Sequence, residues 1–250
     1  MSAVEAASGL AASLLARRRA LGRPLVMGIV NVTPDSFFPA SRAAGDAAVA
    51  RALGLVEEGA DLLDVGGEST RPGSEPVSAE EESARVLPLI ERLASRSGVP
   101  VSVDTAKPEV ARRALDAGAG ILNDVLALRG GSDMPAVAAR YPLVVLMHML
   151  GTSPKTMQAA PVYGDVVAEV TTFLAERLAA LRAAGAAPDA AWVDPGLGFG
   201  KTTEHNLALL KGLESLVGLA PVLVGASRKS FIGRLLGSET APLPPEERLE

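Results

Sequence analysis

Seven short apolar runs in this chain each stop at a polar, chemically capable residue. Residues 26–30 run into Asn31, 62–63 into Asp64 with Gly66-Gly67 behind it, and 99–103 into Asp104. Residues 121–122 stop at Asn123-Asp124, 143–146 at Met147-His148, 191–193 at Asp194, and 222–224 at the segment 225–229. The runs are nearly continuous in apolar residues rather than alternating, as parallel strands covered on both faces require. Between most of them lie segments that read as helices, at 45–59, 78–97, 108–118, 135–140, 165–185 and 204–218. Glycines 59, 98, 118 and 185 stand where C-terminal caps belong, and Pro108 suits a first helical turn. Alternating β and α units predict an α/β chain of the (β/α)8 barrel type, in which every strand aims its carboxyl end at one mouth. Polar residues at those ends predict an enzyme.

A length of 250 residues suits one such barrel, and 48% hydrophobic residues can fill its core. Residues 1–22 read as a helical lead-in and 23–250 as the barrel domain. The strand count stops at seven, so the eighth strand and last helix are expected to be missing from this chain. The absence of cysteine excludes disulfides, thiolate nucleophiles and cysteine-based zinc sites. No apolar run approaches the roughly 20 residues that span a bilayer, and the expected address is the cytoplasm. A net charge of −5 offers no broad attraction for nucleic acid. An anionic ligand must be met by placed cations, which directs attention to Arg71, Lys201, Arg228 and Lys229.

Asp104, Asn123 and Asp194 would share the barrel mouth. Two carboxylates that accept N–H bonds and an amide that donates and accepts suit the edge of a planar nitrogen heterocycle; the competing role is helix or loop capping. The loop 66–73 is polar and glycine-bearing, so Thr70 and Arg71 suit an anionic group, although a plain surface loop has the same composition. The loop 31–39 places Asn31 and Asp35 as oxygen donors for Mg²⁺ and Phe37 and Phe38 as a lid over an aromatic substrate. Lys229, Ser227 and Ser230 follow the seventh run, where barrels often bind phosphate, and a solvated basic turn is the alternative. The stretch 196–202 fails as a phosphate-binding P-loop because Pro195 stands where the first glycine is needed. Phe199 is better read as an aromatic wall beside Asp194. His148 reads as a packed strand-end residue rather than a general base.

These motifs resemble the dihydropteroate synthase family. The match lies in residues 26–37 and 64–73, then in Ser102-Val103-Asp104-Thr105, Asn123-Asp124, Met147-His148-Met149, Asp194-Pro195-Gly196 and Ser227-Arg228-Lys229-Ser230, in family order over about 24–250. The resemblance implies an Mg²⁺-dependent, SN1-like transferase that joins 6-hydroxymethyl-7,8-dihydropterin diphosphate to 4-aminobenzoate, giving 7,8-dihydropteroate and pyrophosphate. It implies that Asp104, Lys229 and Arg71 are catalytic and that Asn31 binds Mg²⁺. Asp104, Asn123, Asp194 and Lys229 would hold pterin, and Thr70 the diphosphate. Arg71, Phe37, Pro72, Ser230 and Lys229 would form the aminobenzoate site, and Met147, Phe199 and Gly225 would also bind substrate. It also implies sulfonamide-type inhibitors and a homodimer. Two departures stand out: Phe38-Pro39-Ala40-Ser41 replaces the family's Ser-Asp-Gly-Gly, and the eighth-strand Arg-x-His-Asp has no counterpart in these residues. The alternatives are a catalytically silent pterin-binding homologue, or a methyltetrahydrofolate–corrinoid methyltransferase, which needs no diphosphate site.

Overall fold

The computed structural model describes residues 3–32, 42–69, 75–153, 156–158, 161–238 and 240–248. Strands β1 (Met27–Asn31), β2 (Leu62–Gly66), β3 (Val101–Asp104), β4 (Ile121–Asp124), β5 (Leu143–Met147) and β6 (Ala191–Asp194) form one parallel sheet in chain order. Helix α1 (Ala3–Leu21) precedes it. Helices α2 (Arg42–Glu57), α3 (Ala79–Arg96), α4 (Pro108–Asp116), α5 (Met134–Ala138) and α6 (Val166–Ala183) follow β1 to β5 in turn. After β6 come α7 (Thr203–Lys211), α8 (Leu213–Val217) and α9 (Ser230–Leu236).

Three apolar clusters explain the architecture. The outward side chains Leu63, Val65, Val103, Leu122, Val144, Leu146 and Val193 pack with Val86, Ile90, Leu93, Val110 and Leu174 of the helical jacket. Inside the barrel, Leu62, Ile121, Leu143, Val145 and Trp192 close over Ala11 and Leu14 of α1, which plugs the amino-terminal end. At the opposite end Val125, Met147, Met149 and Met157 pack with Phe199. This third cluster is the apolar floor of the mouth.

The element ends follow local chemistry. Ser78 accepts from Glu81 N to cap α3, Asp165 accepts from Val167 and Ala168 N to cap α6, and Pro108 opens α4. Gly59, Gly98, Gly118 and Gly185 all carry positive φ at the turns where the sequence placed stops. Asp61, fully buried, accepts from Arg17, Arg23 and the Val26 N–H, fixing the lead-in against β1.

Three expectations are corrected. The seventh run, 222–224, is not a strand but a single parallel bridge from Val222 to Val193, held by Val193 N to Pro221 O and Leu223 N to Val193 O. Among the described residues nothing pairs with its outer edge, so the ladder has no second side to extend it. Asp64 does not end its strand; β2 continues through Gly66. The helix expected over 204–218 breaks at Gly212, where a Cβ would stand 2.9 Å from Val167 Cγ1 and hold α6 away.

The sheet is not closed. Between the outer edge of β1 and residues 221–224 runs an apolar slot of about 650 Å³, lined among others by Leu25, Met27, Ile29, Trp192 and Val222. Ile29 on its wall is 52% exposed.

Candidate active site

Strand register assembles the first half of the site. Asn31 lies beside Gly66, Gly66 beside Asp104, and Asp104 beside Asn123, so four strand ends form one row. Gly66 leaves a gap in it: a Cβ there would lie 3.4 Å from Asn31 Oδ1 and 3.7 Å from Asp104 Oδ2. Across the mouth Met147 pairs with Asp194. Asp194 Oδ1 accepts from the Gly196 N–H at 2.6 Å. Its Oδ2 faces Gly225, 4.0 Å from where a Cβ would stand. Lys229 Nζ lies 4.2 Å from the centre of the Phe199 ring, a cation–π contact. Gly198 (φ +81°) brings its backbone against the same lysine. Lys229 and Ser230, at the start of α9, share with Phe199 a cavity of about 860 Å³.

The sequence reasoning missed Asp64. It points into the barrel from the middle of β2, 3% exposed, and its Oδ2 accepts from Asn123 Nδ2 at 3.1 Å. That bond uses one of the amide's two N–H donors and leaves the other N–H and Oδ1 for a ligand. Two carboxylate acceptors and an amide that donates and accepts therefore meet an incoming heterocycle, which presents N–H donors to the carboxylates. The signal was present as a single polar residue inside an apolar run; reading it as a strand end concealed it. Asp124, by contrast, is a loop cap that accepts from Leu126 and Leu128 N–H and supports Ala127 and Leu128 at positive φ.

The carboxylates are held away from water. Burial, with Asp64 and Glu82 nearby, pushes Asp104 well above the usual carboxylate range. Asp64 is also raised, chiefly by burial. Burial lifts Asp194 to about 6, against the pull of the Gly196 N–H and of Lys229 and Lys201. Lys229 is lowered by burial and supported by Asp194. A ligand donating N–H bonds to these acceptors compensates part of their desolvation.

His148 is packed, 6% exposed, with its ring edge-on to Phe173 at 4.9 Å. Arg228 is exposed at φ 57° and Lys229 turns inward, so the basic pair divides. Thr70, Arg71, Pro72, Phe37, Asp35 and Phe38 lie outside the described residues. For a divalent cation, the described donors near Asn31 are the amide oxygen and Asp104. Among the described residues no group of three or more His, Cys, Asp or Glu could hold a metal. This thin oxygen set fits Mg²⁺, which keeps its waters and takes most of its charge balance from substrate phosphates. Among the same residues no helix is long and apolar enough to cross a membrane.

Comparison with known proteins agrees with this geometry. Residues 27–250 match the model of a family described as pterin binding enzyme. The dihydropteroate synthase of Escherichia coli K12 is 47% identical over 231 residues, covering 92% of this chain and 80% of its own. The Xanthomonas albilineans dihydropteroate synthase solved with 4-aminobenzoic acid is 53% identical, with a TM-score of 0.81, over 91% of this chain and 80% of that one. The same organism's enzyme in complex with 7,8-dihydropteroate superposes with a TM-score of 0.78 at 50% identity, over 92% and 80%. These neighbours also identify the open sheet as most of a (β/α) barrel. With its row of strand-end polar residues, its apolar floor and matches of this depth, the chain belongs to the dihydropteroate synthase family of pterin-binding enzymes.

Proposed function

We propose that this chain condenses 6-hydroxymethyl-7,8-dihydropterin diphosphate with 4-aminobenzoate, releasing pyrophosphate and forming 7,8-dihydropteroate. The carrying observation is the recognition edge: Asp104, Asn123 and Asp194 converge on one mouth, with Asn123 held in place by Asp64. A pterin ring offers amino and ring N–H donors in one plane, and Lys229 supplies a donor for its acceptors. Met147 and Gly225 would lie against the ring. The Phe199 ring beside Lys229, with Ser230, suits the aromatic amine and its carboxylate. Thr70, Arg71, Phe37 and Pro72 belong to this reading from family resemblance, as does Asn31 as a ligand to Mg²⁺.

In the SN1-like step the bond between the pterin methylene carbon and the diphosphate oxygen breaks, and the electron pair leaves with the diphosphate. The ring, held at its donor edge, shares the resulting positive charge. The arylamine nitrogen then forms the new C–N bond and loses one proton. Mg²⁺, when bound, would neutralise charge on the leaving group. Lys229 and Arg71 would orient the partners, and packing around Phe199 would keep water from the cation. No activated nucleophile is needed, which fits a packed His148.

Residues 23–250 would carry the activity, with 1–22 as the lead-in. A cytoplasmic homodimer open to sulfonamide-type inhibitors of the aminobenzoate site completes the reading. Asn123→Leu tests it. Calorimetry is expected to show pterin affinity falling by tens-fold, on the order of 2 kcal/mol for a lost hydrogen bond and an orphaned Asp64. Unchanged affinity would remove the proposed edge. Simultaneous formation of dihydropteroate and pyrophosphate by the parent chain separates a synthase from a silent pterin binder and from a methyltransferase.

A further inference from the structure

The turn after β6 holds a cation to which pterin recognition assigns no task. Lys201 is 3% exposed. Its ammonium lies 2.9 Å from His148 Nδ1, 3.0 Å from Gly196 O, 3.1 Å from Phe199 O and 3.3 Å from His148 O. An ammonium carries three N–H groups, so four acceptors in this shell leave none for a ligand. The acceptors come from two different loops. His148 follows β5, while Gly196 and Phe199 belong to the turn after β6.

These loops already lie as close as backbones can. His148 N donates to Asp194 O at 3.0 Å. A Cβ on Gly196 would meet His148 O at 1.9 Å, and one on Gly200 would meet Leu150 Cβ at 2.4 Å. Carbonyl oxygens pointing at one buried spot repel unless a cation stands there. Tyr163 closes the outer side, donating its hydroxyl to Gly200 O at 2.9 Å. Burial pulls Lys201 down to about 7 while Asp194 supports its charge; when the ammonium donates to Nδ1, the neutral imidazole of His148 carries its proton on Nε2. Burial and the neighbouring cations Lys201 and Arg129 keep it neutral, pushed down to about 3.

We propose that Lys201 is a positioning residue for the aminobenzoate site, locking the β5 and β6 loops into one piece and so fixing the Phe199 ring beneath Lys229. The inference rests on the synthase reading of the mouth. It differs from a general packing role because its effect is directional. Of the pterin edge, Asp104 and Asn123 come from β3 and β4, which Lys201 does not touch, and Asp194 is reached by its charge, whereas Phe199 offers its own carbonyl to the lysine.

The test is steady-state kinetics of the full chain with both substrates varied, beside a melting curve. In Lys201→Met the KM for 4-aminobenzoate is expected to rise about tenfold, with kcat and the KM for pterin diphosphate moving less than about threefold, as misplacing one wall of a site predicts. Phe199→Leu should raise the same KM, and the double variant should be no worse than the poorer single variant, since one acts through the other. An unchanged aminobenzoate KM overturns the assignment. So does a fall in kcat that tracks loss of folded protein with both KM values constant. If Lys201→Met does not fold, His148→Leu removes one acceptor and the lysine keeps its carbonyls; an aminobenzoate KM equal to the parent's then overturns the proposal. A parent that forms no dihydropteroate overturns the synthase reading and this inference together, whereas a working parent with an indifferent variant overturns the inference alone.

Discussion

Asp194 shows how a residue can serve a site at the expense of the fold. Its carboxyl is raised from 3.8 to about 6 by burial. A carboxyl raised on folding contributes stability that is present below its unfolded pKa and is lost as pH rises through the folded value. Asp194 therefore costs stability across the window from 3.8 to about 6 and above it. Asp194→Asn keeps an acceptor for the Gly196 N–H and removes the charge. We expect a higher melting temperature at pH 7.5, with an upper bound of about 3 kcal/mol from the size of the shift, alongside weakened pterin binding in calorimetry. In the parent, pterin affinity should fall as pH drops through about 6, because protonation removes the charge and turns one carboxylate oxygen from acceptor into donor. A melting point unchanged between parent and variant at pH 7.5 would show that the charge is better solvated than its burial implies.

At the scale of elements, α3 governs the approach to the loop after β2. Lys107, at the N-terminus of α4, bridges Glu68 of that loop to the buried Glu82 of α3. Arg85 of α3 donates to Gly67 O at 2.6 Å, and a Cβ on Gly67 would strike Val86 at 2.8 Å. The loop root is thus pinned just before Thr70 and Arg71. Lys107→Met should leave the buried Glu82 without its ion-pair partner, lowering stability by about 3 kcal/mol and raising the KM for both substrates, since the loop carries Thr70 as well as Arg71 and Pro72; denaturant melts and kinetics check both. The six strands were legible because parallel strands packed under helices read as apolar runs, and the helix stops because glycines marked them. That the seventh run forms only a bridge was not, since composition cannot reveal whether an edge finds a second neighbour. Helix α9 was not either: seven residues are too few to display a period. In the candidate site, Asp104, Asn123, Asp194 and Met147 share one mouth as the strand-end pattern expected, with Phe199 and Lys229 in the loops beyond. Lys201 was marked as a cation for an anionic ligand, yet four acceptors from two loops surround it, and a contact between distant loops leaves no trace in local sequence.

For the molecule as a whole, the open slot between β1 and residues 221–224 presents apolar side chains beside backbone that is unpaired among the described residues. Edges of this kind pair with other chains. Ile29→Lys should reduce self-association of the chain at micromolar concentration, read by sedimentation velocity, without altering the pterin edge on β3 and β4. The strand order has a different consequence, in time rather than space. Since the sheet runs β1 to β6 in the order of the chain, each strand after the first finds one neighbour already made as it leaves a ribosome. The sheet can grow like a fence, post by post, each strand joining the one before it. The mouth fills in the same sequence: Asn31, Asp104, Asn123, Asp194 and finally Lys229. A pterin therefore has little to grip on the nascent chain until the last of them is in place.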